Sequence, residues 1–224
     1  MSKRQETEEE SIRASGLSRR QFLRGVGAVG AGSALVTELL APEEAVAEPM
    51  PLAQPPAGTT LHKGRQAITL QVNGQAMTMQ VEPRTTLLNA LRNHADPPVT
   101  GPKLICDQGA CGGCTVILDG KTVYGCMQLA VDAIGKQIRT VEGLIGPNGE
   151  LSPVQEAFVN RDALMCGFCT PGFVLSATAL LKSNPSPTHE EIQKGCAGNL
   201  CRCGTYPHIF EAVAEAAQKM RGGA

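Results

Sequence analysis

The chain has few aromatic side chains and no excess of charge of either sign. It contains no Trp, 2 Tyr and 5 Phe, and its 20 Lys and Arg are offset by 21 Asp and Glu. A nucleic-acid binder usually carries a basic excess, and a single-strand binder presents aromatic platforms, so the composition argues against both classes. A hydrophobic content of 42% excludes a disordered chain. The 224 residues are enough for one large domain or two small ones.

Signals for a nucleotide site and for catalysis are also absent. No Gly-x-Gly-x-x-Gly follows a predicted strand, so we expect no nucleotide site on this chain. No acid or nucleophile is paired with a histidine nearby in the sequence, so we expect solvated rather than catalytic side chains at His62, His94, His189 and His208. We therefore predict no catalytic residue. The abundant residues are instead 9 Cys and 25 Gly, and the function depends on what the cysteines bind.

The first 47 residues have the layout of a signal peptide. The string Ser-Arg-Arg-Gln-Phe-Leu-Arg at 18–24 resembles the twin-arginine signal, and a Gly- and Ala-rich apolar stretch follows at 25–41. That stretch is too short and too rich in Gly to span a membrane. An Ala-Val-Ala cleavage site ends at Ala47, so we predict export of a folded chain to the periplasm and a Pro-rich linker over 48–65. An ordinary basic tail is the alternative.

Residues 66–141 show the alternation of a small sheet. Apolar residues recur at every second position on both sides of Asn73-Gly74, a dipeptide favoured in type I′ turns, so a hairpin is predicted there. Asp119-Gly120 predicts a second hairpin, and residues 137–141 a closing strand. One short helix is predicted between the two hairpins.

From residue 142 the apolar spacing becomes helical. Ser152 and Thr188 each begin a capping box, and Thr170-Pro171 and Pro207 place Pro at two further helix starts. Four helices of modest length are predicted over 142–224, which is enough for a bundle.

Four cysteines have the spacing of a plant-type [2Fe–2S] site. The pattern is C-x4-C-x2-C followed, after 11 intervening residues, by a fourth Cys, and it is formed by Cys106, Cys111, Cys114 and Cys126. A tight loop that turns backbone N–H groups toward cluster sulfides needs residues without a Cβ. The loop contains three such residues, Gly109, Gly112 and Gly113, which we count as part of the site.

A second set combines Cys166-x2-Cys169 with Cys201-x-Cys203. The one-residue spacing of the latter pair is unusual for zinc, whose paired ligands normally lie two to four residues apart. Both pairs stand just before a predicted helix start, where the helix dipole stabilises a thiolate and the negative charge of a cluster. We predict that these four sulfurs hold a second [2Fe–2S] cluster.

Disulfides and zinc are the alternative states of these cysteines. An exported protein enters an oxidising compartment, which favours disulfides. The odd total of 9 Cys and the C-x-C spacing argue against a disulfide framework, and a chain that travels folded can carry clusters assembled before export. Cys196 belongs to neither set, and we expect it to be a buried free thiol.

Three motifs together resemble a known family. They are Cys-Asp-Gln-Gly-Ala-Cys-Gly-Gly-Cys-Thr at 106–115, Cys-Gly-Phe-Cys-Thr-Pro-Gly at 166–172 and Gly-Asn-Leu-Cys-Arg-Cys at 198–203. Residues 66–222 are similar to the iron–sulfur subunit of the molybdenum hydroxylases, the xanthine dehydrogenase and aldehyde oxidoreductase family. The leader and the sequence Cys-Gly-Thr-Tyr at 203–206 resemble most the periplasmic aldehyde oxidoreductase and isoquinoline oxidoreductase-like branches.

The resemblance implies an α+β fold. A plant-type ferredoxin-like (β-grasp) domain is expected over 66–141, followed by a four-helix bundle domain over 142–224. Each domain is expected to carry one [2Fe–2S] cluster.

The resemblance also implies a function. The substrate is oxidised at a molybdenum–pterin centre in a separate large subunit, and electrons pass to the second cysteine set, then to the first, and on to an FAD subunit or another acceptor. The chain is then the electron-transfer subunit of a heteromeric, molybdenum-dependent aldehyde oxidoreductase or related hydroxylase. A free-standing periplasmic two-cluster carrier is the alternative, although the near-neutral charge argues against steering by an acidic face.

One position departs from the family pattern. Met165 stands where many relatives have a Gln that approaches the pterin. A thioether accepts hydrogen bonds weakly and donates none, so this contact does not carry over unchanged. Packing of Met165 at the subunit interface is the alternative.

Overall fold

The computed structural model describes residue 20 and residues 63–222. Residues 63–222 belong to one compact unit. The predicted signal peptide, apart from residue 20, and nearly all of the predicted linker lie outside the described residues. Within the described ranges, no helix has the length and apolar character needed to cross a membrane.

The first half of this unit is a five-stranded mixed sheet. Its strands are β1 (Gln66–Val72), β2 (Gln75–Val81), β3 (Thr115–Leu118), β4 (Lys121–Tyr124) and β5 (Gln137–Arg139), in the order β2-β1-β5-β3-β4. Strands β1 and β5 run parallel, and all other neighbours are antiparallel. A short helix, α1 (Leu87–Asn89), follows β2 and continues as a π-helical turn over Ala90–His94.

Turn chemistry sets both hairpins. Asn73 and Gly74 have φ values of 53° and 81°, and Asp119 and Gly120 have values of 47° and 82°. Two consecutive positive φ values are the requirement of a type I′ turn, so both predicted hairpins are confirmed. The Asn73 side chain also holds the end of β5, because it donates to Thr140 Oγ1 and accepts from the Thr140 amide, each at 2.9 Å.

The alternation along β1 builds the first core. Ile68, Leu70 and Val72 are at most 4% exposed, as expected for residues on one face of a strand. They pack with Leu87 and Leu91 of the helical segment, both fully buried. The core therefore lies between the sheet and this helical segment, and the cysteine loop after residue 100 runs outside it.

Four α-helices follow the sheet. They are α2 (Pro153–Asn160), α3 (Thr170–Ser183), α4 (His189–Cys196) and α5 (Tyr206–Gly222). The predicted capping boxes at Ser152 and Thr188 are present, and α3 begins at Thr170 as predicted. Helix α5 begins at Tyr206, one residue before the predicted start.

All four helices contribute to a second core. Phe158 of α2, Phe173 of α3, Ile192 of α4 and Ile209 of α5 are each at most 2% exposed and belong to one apolar cluster. The chain is therefore an α+β protein in which a ferredoxin-like sheet domain precedes a helical domain.

Candidate iron–sulfur sites

The first cysteine set lies at the open end of the β3–β4 hairpin. Thr115 pairs with Tyr124 across that hairpin, which places Cys114 and Cys126 opposite one another just beyond the two strands. Their sulfur atoms are 3.4 Å apart, and both residues are buried. The sheet therefore supplies one rigid pair of sulfur ligands.

The separation of this pair suits a shared metal ion. A disulfide requires an S–S distance of about 2.05 Å, so Cys114 and Cys126 are not bonded to each other. A tetrahedral metal with sulfur ligands at about 2.3 Å holds two of them about 3.8 Å apart, close to the 3.4 Å observed. Cys106 and Cys111 form the other hydrogen-bonded pair, from the loop before β3.

The second set is also built from two pairs. The Cys169 and Cys201 sulfurs are hydrogen-bonded, and Cys166 is hydrogen-bonded to Cys203. Cys169 directly precedes α3, and Cys203 lies three residues before α5, so the amino ends of two helices meet at this set. The predicted placement of both pairs before helix starts is confirmed.

Two pairs of cysteines in each set suit a [2Fe–2S] cluster better than a zinc ion. A structural zinc takes four ligands around a single ion. A [2Fe–2S] cluster takes four cysteines over two irons, which is what two adjacent pairs provide.

Each set has an inner and an outer pair. In the first set Cys114 and Cys126 are buried, whereas Cys106 and Cys111 are partly exposed. In the second set the inner pair is Cys169 and Cys201, and the outer pair, Cys166 and Cys203, is exposed. A cluster in either set would therefore present one edge to the surface.

Local hydrogen bonds make the thiols of the first set unequal. The Gln108 amide donates to the Cys106 sulfur, and together with the Cys111 thiol it lowers the pKa of Cys106 to about 7. Burial raises the pKa of Cys114 to about 12. Because iron binds the thiolate, loading this set must displace the proton that Cys114 retains.

The second set shows the same division. Burial raises the pKa of Cys169 to about 12, and its hydrogen bond to Cys201 acts in the same direction. Burial also opposes ionisation of Cys201, but hydrogen bonds from the Thr205 amide and hydroxyl outweigh it and lower the pKa to about 7. The lower pKa gives Cys201 the more thiolate character before metal binds.

The predicted loop glycines have different surroundings. Gly109 and Gly112 have positive φ values of 74° and 70°, at which a residue with a Cβ is strained. Gly113 does not have a positive φ. An added Cβ at Gly112 would overlap the carbonyl oxygen of Gly198. Gly112 therefore packs directly against the second cysteine motif, a contact that its position in the first motif did not predict.

The remaining candidates are unremarkable in their surroundings. Cys196 is 2% exposed at the end of α4, and burial raises its pKa to about 11, which confirms the buried free thiol. His189 and His208 are exposed and His94 is half-buried, and His62 lies outside the described residues.

Two family models match the chain over nearly all of its described part. A "2Fe-2S iron-sulfur cluster binding domain" matches residues 70–137, and a "[2Fe-2S] binding domain" matches residues 140–214. The nicotine 6-hydroxylase small subunit of Paenarthrobacter nicotinovorans is 51% identical over 152 residues, which are 68% of this chain and 90% of the relative. The aldehyde oxidoreductase iron-sulfur-binding subunit PaoA of Escherichia coli O157:H7 is 36% identical over 220 residues, covering 92% of this chain and 90% of the relative.

A solved structure agrees with these relatives. Quinoline 2-oxidoreductase from Pseudomonas putida 86 is 40% identical, with a TM-score of 0.66, and the match covers 71% of this chain and 98% of the matched chain. The chain belongs to the iron–sulfur subunits of the molybdenum hydroxylases. This iron–sulfur subunit binds two [2Fe–2S] clusters and transfers electrons within a heteromeric oxidoreductase.

Asn199 joins the two motifs of the iron–sulfur subunit. Its side-chain amide donates to the Gly112 carbonyl at 2.9 Å and to Thr115 Oγ1 at 3.2 Å, and its oxygen accepts from Ser176 Oγ at 2.7 Å. Asn199 is 3% exposed and lies two residues before Cys201. One buried side chain thus ties the first cluster loop to α3 and to the second motif.

Two further hydrogen bonds cross the same junction. The Leu200 amide donates to the Cys111 carbonyl at 2.9 Å. Because Leu200 directly precedes Cys201, this one hydrogen bond links a ligand of the first set to the neighbour of a ligand of the second. The Tyr124 hydroxyl donates to the Gly198 carbonyl at 2.7 Å. The two cysteine sets are therefore held at a fixed separation by main-chain and side-chain contacts.

Sequence reasoning missed the junction residues. The sequence places Asn199 in the third motif at 198–203 and gives Tyr124 no role. The available signal was a polar Asn between Gly198 and an apolar Leu200 in a motif that also supplies ligands. Its partners lie at least 23 residues away in the sequence, and nothing local identifies them.

Proposed function

We propose that this iron–sulfur subunit connects a molybdenum–pterin subunit to an electron acceptor, with its helical domain facing the former and its sheet domain the latter. The cysteines of the two pairs in each domain would hold the irons, and each bound cluster supplies one-electron reduction and reoxidation. The chain itself would contribute the ligands, the fixed separation between the two sets and the surfaces that meet the partners.

The observation that carries this proposal is the exposed apolar surface around the second set. Met165, Phe168 and Leu200 are 68%, 50% and 54% exposed, and each is adjacent in sequence to a ligand cysteine. Large apolar side chains clustered around an exposed pair of ligands favour a protein partner at that edge. Met165 then packs against the partner, in keeping with its exposure and its weak hydrogen bonding.

The four helices would act as one bundle in this arrangement. They share a single core, and the inner pair, Cys169 and Cys201, lies against it. A common core keeps the amino ends of α3 and α5 together, and with them the two halves of the second ligand set.

We propose an aldehyde as the substrate of the complex. The aldehyde oxidoreductase subunit aligns with 92% of this chain, so its similarity extends into the first 62 residues, whereas the nicotine 6-hydroxylase subunit aligns with 68%. The higher identity of the latter, 51% against 36%, makes an N-heterocycle the competing substrate class. We propose an FAD subunit as the electron acceptor of the sheet domain.

The test is the composition of the complex recovered through a tag at the carboxyl terminus. We expect about four Fe and one Mo for each copy of this chain, because each cluster contributes two Fe. The complex should oxidise benzaldehyde to benzoate with a dye as acceptor, and faster than it hydroxylates quinoline. Faster turnover of quinoline would reassign the substrate class and leave the electron-transfer role unchanged.

Other results would contradict the role of the chain in a complex or the identity of its metal. A chain with four Fe that elutes alone as a monomer, from gently broken cells, would instead support the free-standing carrier. Zinc in place of iron would overturn the cluster assignment. Flavin analysis of the same sample tests the acceptor.

We further propose that the chain is exported through the twin-arginine route and works in the periplasm. The support is the Ser-Arg-Arg-Gln-Phe-Leu-Arg string at 18–24 and the similarity to PaoA that reaches into this region.

Replacing Arg19 and Arg20 together with Lys should keep the chain in the cytoplasm at its uncleaved mass. The route reads the arginine pair, so a change that conserves charge is expected to abolish export. Arg13→Lys, outside the string, is the matched control and should be exported normally. The measurement is the mass of the chain in periplasmic and cytoplasmic fractions. Equal export of the double variant and the control would disprove this route.

A further inference from the structure

Two threonine hydroxyls belong to the surroundings of the second cysteine set, one within reach of a ligand sulfur and one on the residue that follows a ligand. Thr205 Oγ1 is 3.6 Å from Cys201 Sγ, within hydrogen-bonding range for the large sulfur atom, and Thr205 is 5% exposed. Thr170 directly follows Cys169, and its hydroxyl oxygen is buried without a hydrogen-bond partner among the described residues. A buried hydroxyl of this kind calls for an explanation, such as a group that the protein binds.

The backbone fixes the positions of both threonines. Gly204, with φ at 80°, donates its amide to the Cys201 carbonyl at 3.3 Å, which turns the chain back so that Thr205 meets the Cys201 sulfur. The Thr205 carbonyl then accepts from Ile209 in the first turn of α5. Thr170 is the first residue of α3, a 14-residue helix. Neither hydroxyl depends on a mobile side chain of another element.

We propose that the Thr170 and Thr205 hydroxyls donate hydrogen bonds to sulfur atoms of the second cluster and raise its reduction potential. This inference rests on the assignment of that cluster to Cys166, Cys169, Cys201 and Cys203. A cysteine that binds iron has lost its proton, so in the Thr205–Cys201 pair only the hydroxyl can donate. The unpartnered Thr170 hydroxyl has its donor free for a cluster sulfur in the same way.

The direction of the effect follows from charge. Reduction adds one electron to the cluster and leaves every proton where it is, so the sulfurs become more negative. A hydrogen-bond donor stabilises the more negative state more strongly, and the potential rises. Because the two hydroxyls lie at the second set only, they would favour the arrival of an electron from the partner there without altering the first cluster.

The test is EPR-monitored potentiometry of the full chain loaded with both clusters, comparing threonine with isosteric valine. In Thr205→Val we expect the midpoint potential of the second cluster to fall by about 59 mV. At the wild-type midpoint, where the unaltered cluster is half oxidised and half reduced, the variant should then show about a tenfold excess of the oxidised cluster. Thr170→Val should shift it in the same direction, and Thr205→Ser should restore the wild-type value. The midpoint of the first cluster should not move.

The matched control lies on the same helix as Thr170. Thr178 Oγ1 donates to the Val174 carbonyl at 2.7 Å, two turns further along α3, so Thr178→Val makes the same chemical change away from the cluster. Unchanged midpoints in Thr170→Val and Thr205→Val, with iron retained, would overturn the proposal. A shift in Thr205→Ser as large as in Thr205→Val would also overturn it.

Iron analysis distinguishes a failure of this inference from a failure of the second cluster assignment on which it rests. About four Fe per chain with unmoved midpoints contradicts only the role of the hydroxyls. About two Fe per chain in the unaltered protein contradicts the second cluster itself. If Thr205→Val loses iron, Thr170→Val and Thr205→Ser still decide the question.

Discussion

Replacing Cys201 with Ser is expected to remove half of the iron, leaving about two Fe per chain in place of about four. Cys201 is the buried member of the inner pair of the second set, and its sulfur is hydrogen-bonded to Cys169. Serine has a hydroxyl that ionises far less readily than a thiol, so the inner iron loses a ligand where solvent cannot replace it. The first set shares none of these ligands and should keep its cluster.

The loss should also abolish turnover of the complex, because the second set is the one that faces the molybdenum–pterin partner in the proposed arrangement. The measurements are iron content, the two EPR signals after reduction, and aldehyde oxidation with a dye acceptor. Only the signal of the second cluster should disappear. Residual activity near the wild-type level would show that electrons leave the complex without this set.

Cys196 offers a close control for this experiment. It lies five residues before Cys201, is 2% exposed, and belongs to neither ligand set. Cys196→Ala removes a buried sulfur without adding a polar group, so we expect about four Fe and normal turnover, at a cost in stability of about 1 kcal/mol. Iron loss in Cys196→Ala equal to that in Cys201→Ser would mean that the iron content reports folding, not ligation.

Local sequence signals predicted most of the secondary structure. Asn73-Gly74 and Ser152 determine their turn and cap through interactions within four residues, so the hairpin and the capping box could be read directly from the chain. The first set was also predictable as a group, because three of its four cysteines lie within nine residues.

The pairing within and between the sets could not be predicted in the same way. That Cys169 approaches Cys201 depends on α3 and α5 meeting across the second core, and that Gly112 touches Gly198 depends on how the two domains pack. Such contacts join residues more than 30 positions apart and are decided by the shape of both cores. The spacing of the cysteines in the sequence therefore does not predict these contacts.

The domain junction should depend most strongly on Asn199. We expect Asn199→Ala to lower the free energy of unfolding by about 2–3 kcal/mol, because it leaves the buried Ser176 hydroxyl without its acceptor and empties the space between the motifs. Denaturant unfolding of the loaded chain measures this loss. Asn93→Ala is the control, since the Asn93 side chain is exposed and donates to Asn89 at 3.2 Å, and it should change stability by less than about 0.5 kcal/mol.

A second variant distinguishes the acceptor role of the Asn199 side chain from its donor role. Asn199→Asp keeps an acceptor for Ser176 but replaces the amide donor with a carboxylate oxygen, which would face the Gly112 carbonyl and Thr115. A buried charge against an acceptor is worse than a small cavity, so Asn199→Asp should destabilise the chain more than Asn199→Ala. If the two domains separate as a result, the magnetic coupling between the reduced clusters should weaken as well.

The order of these two variants discriminates between two roles for the residue. If Asn199 only fills space, alanine should be worse than the nearly isosteric aspartate, and the coupling should follow stability. If Asn199 holds the first cluster loop through its amide, aspartate should be worse and should weaken the coupling even where both clusters remain bound. The 2.9 Å bond to the Gly112 carbonyl, and the Leu200 amide that reaches Cys111 beside it, favour the second outcome.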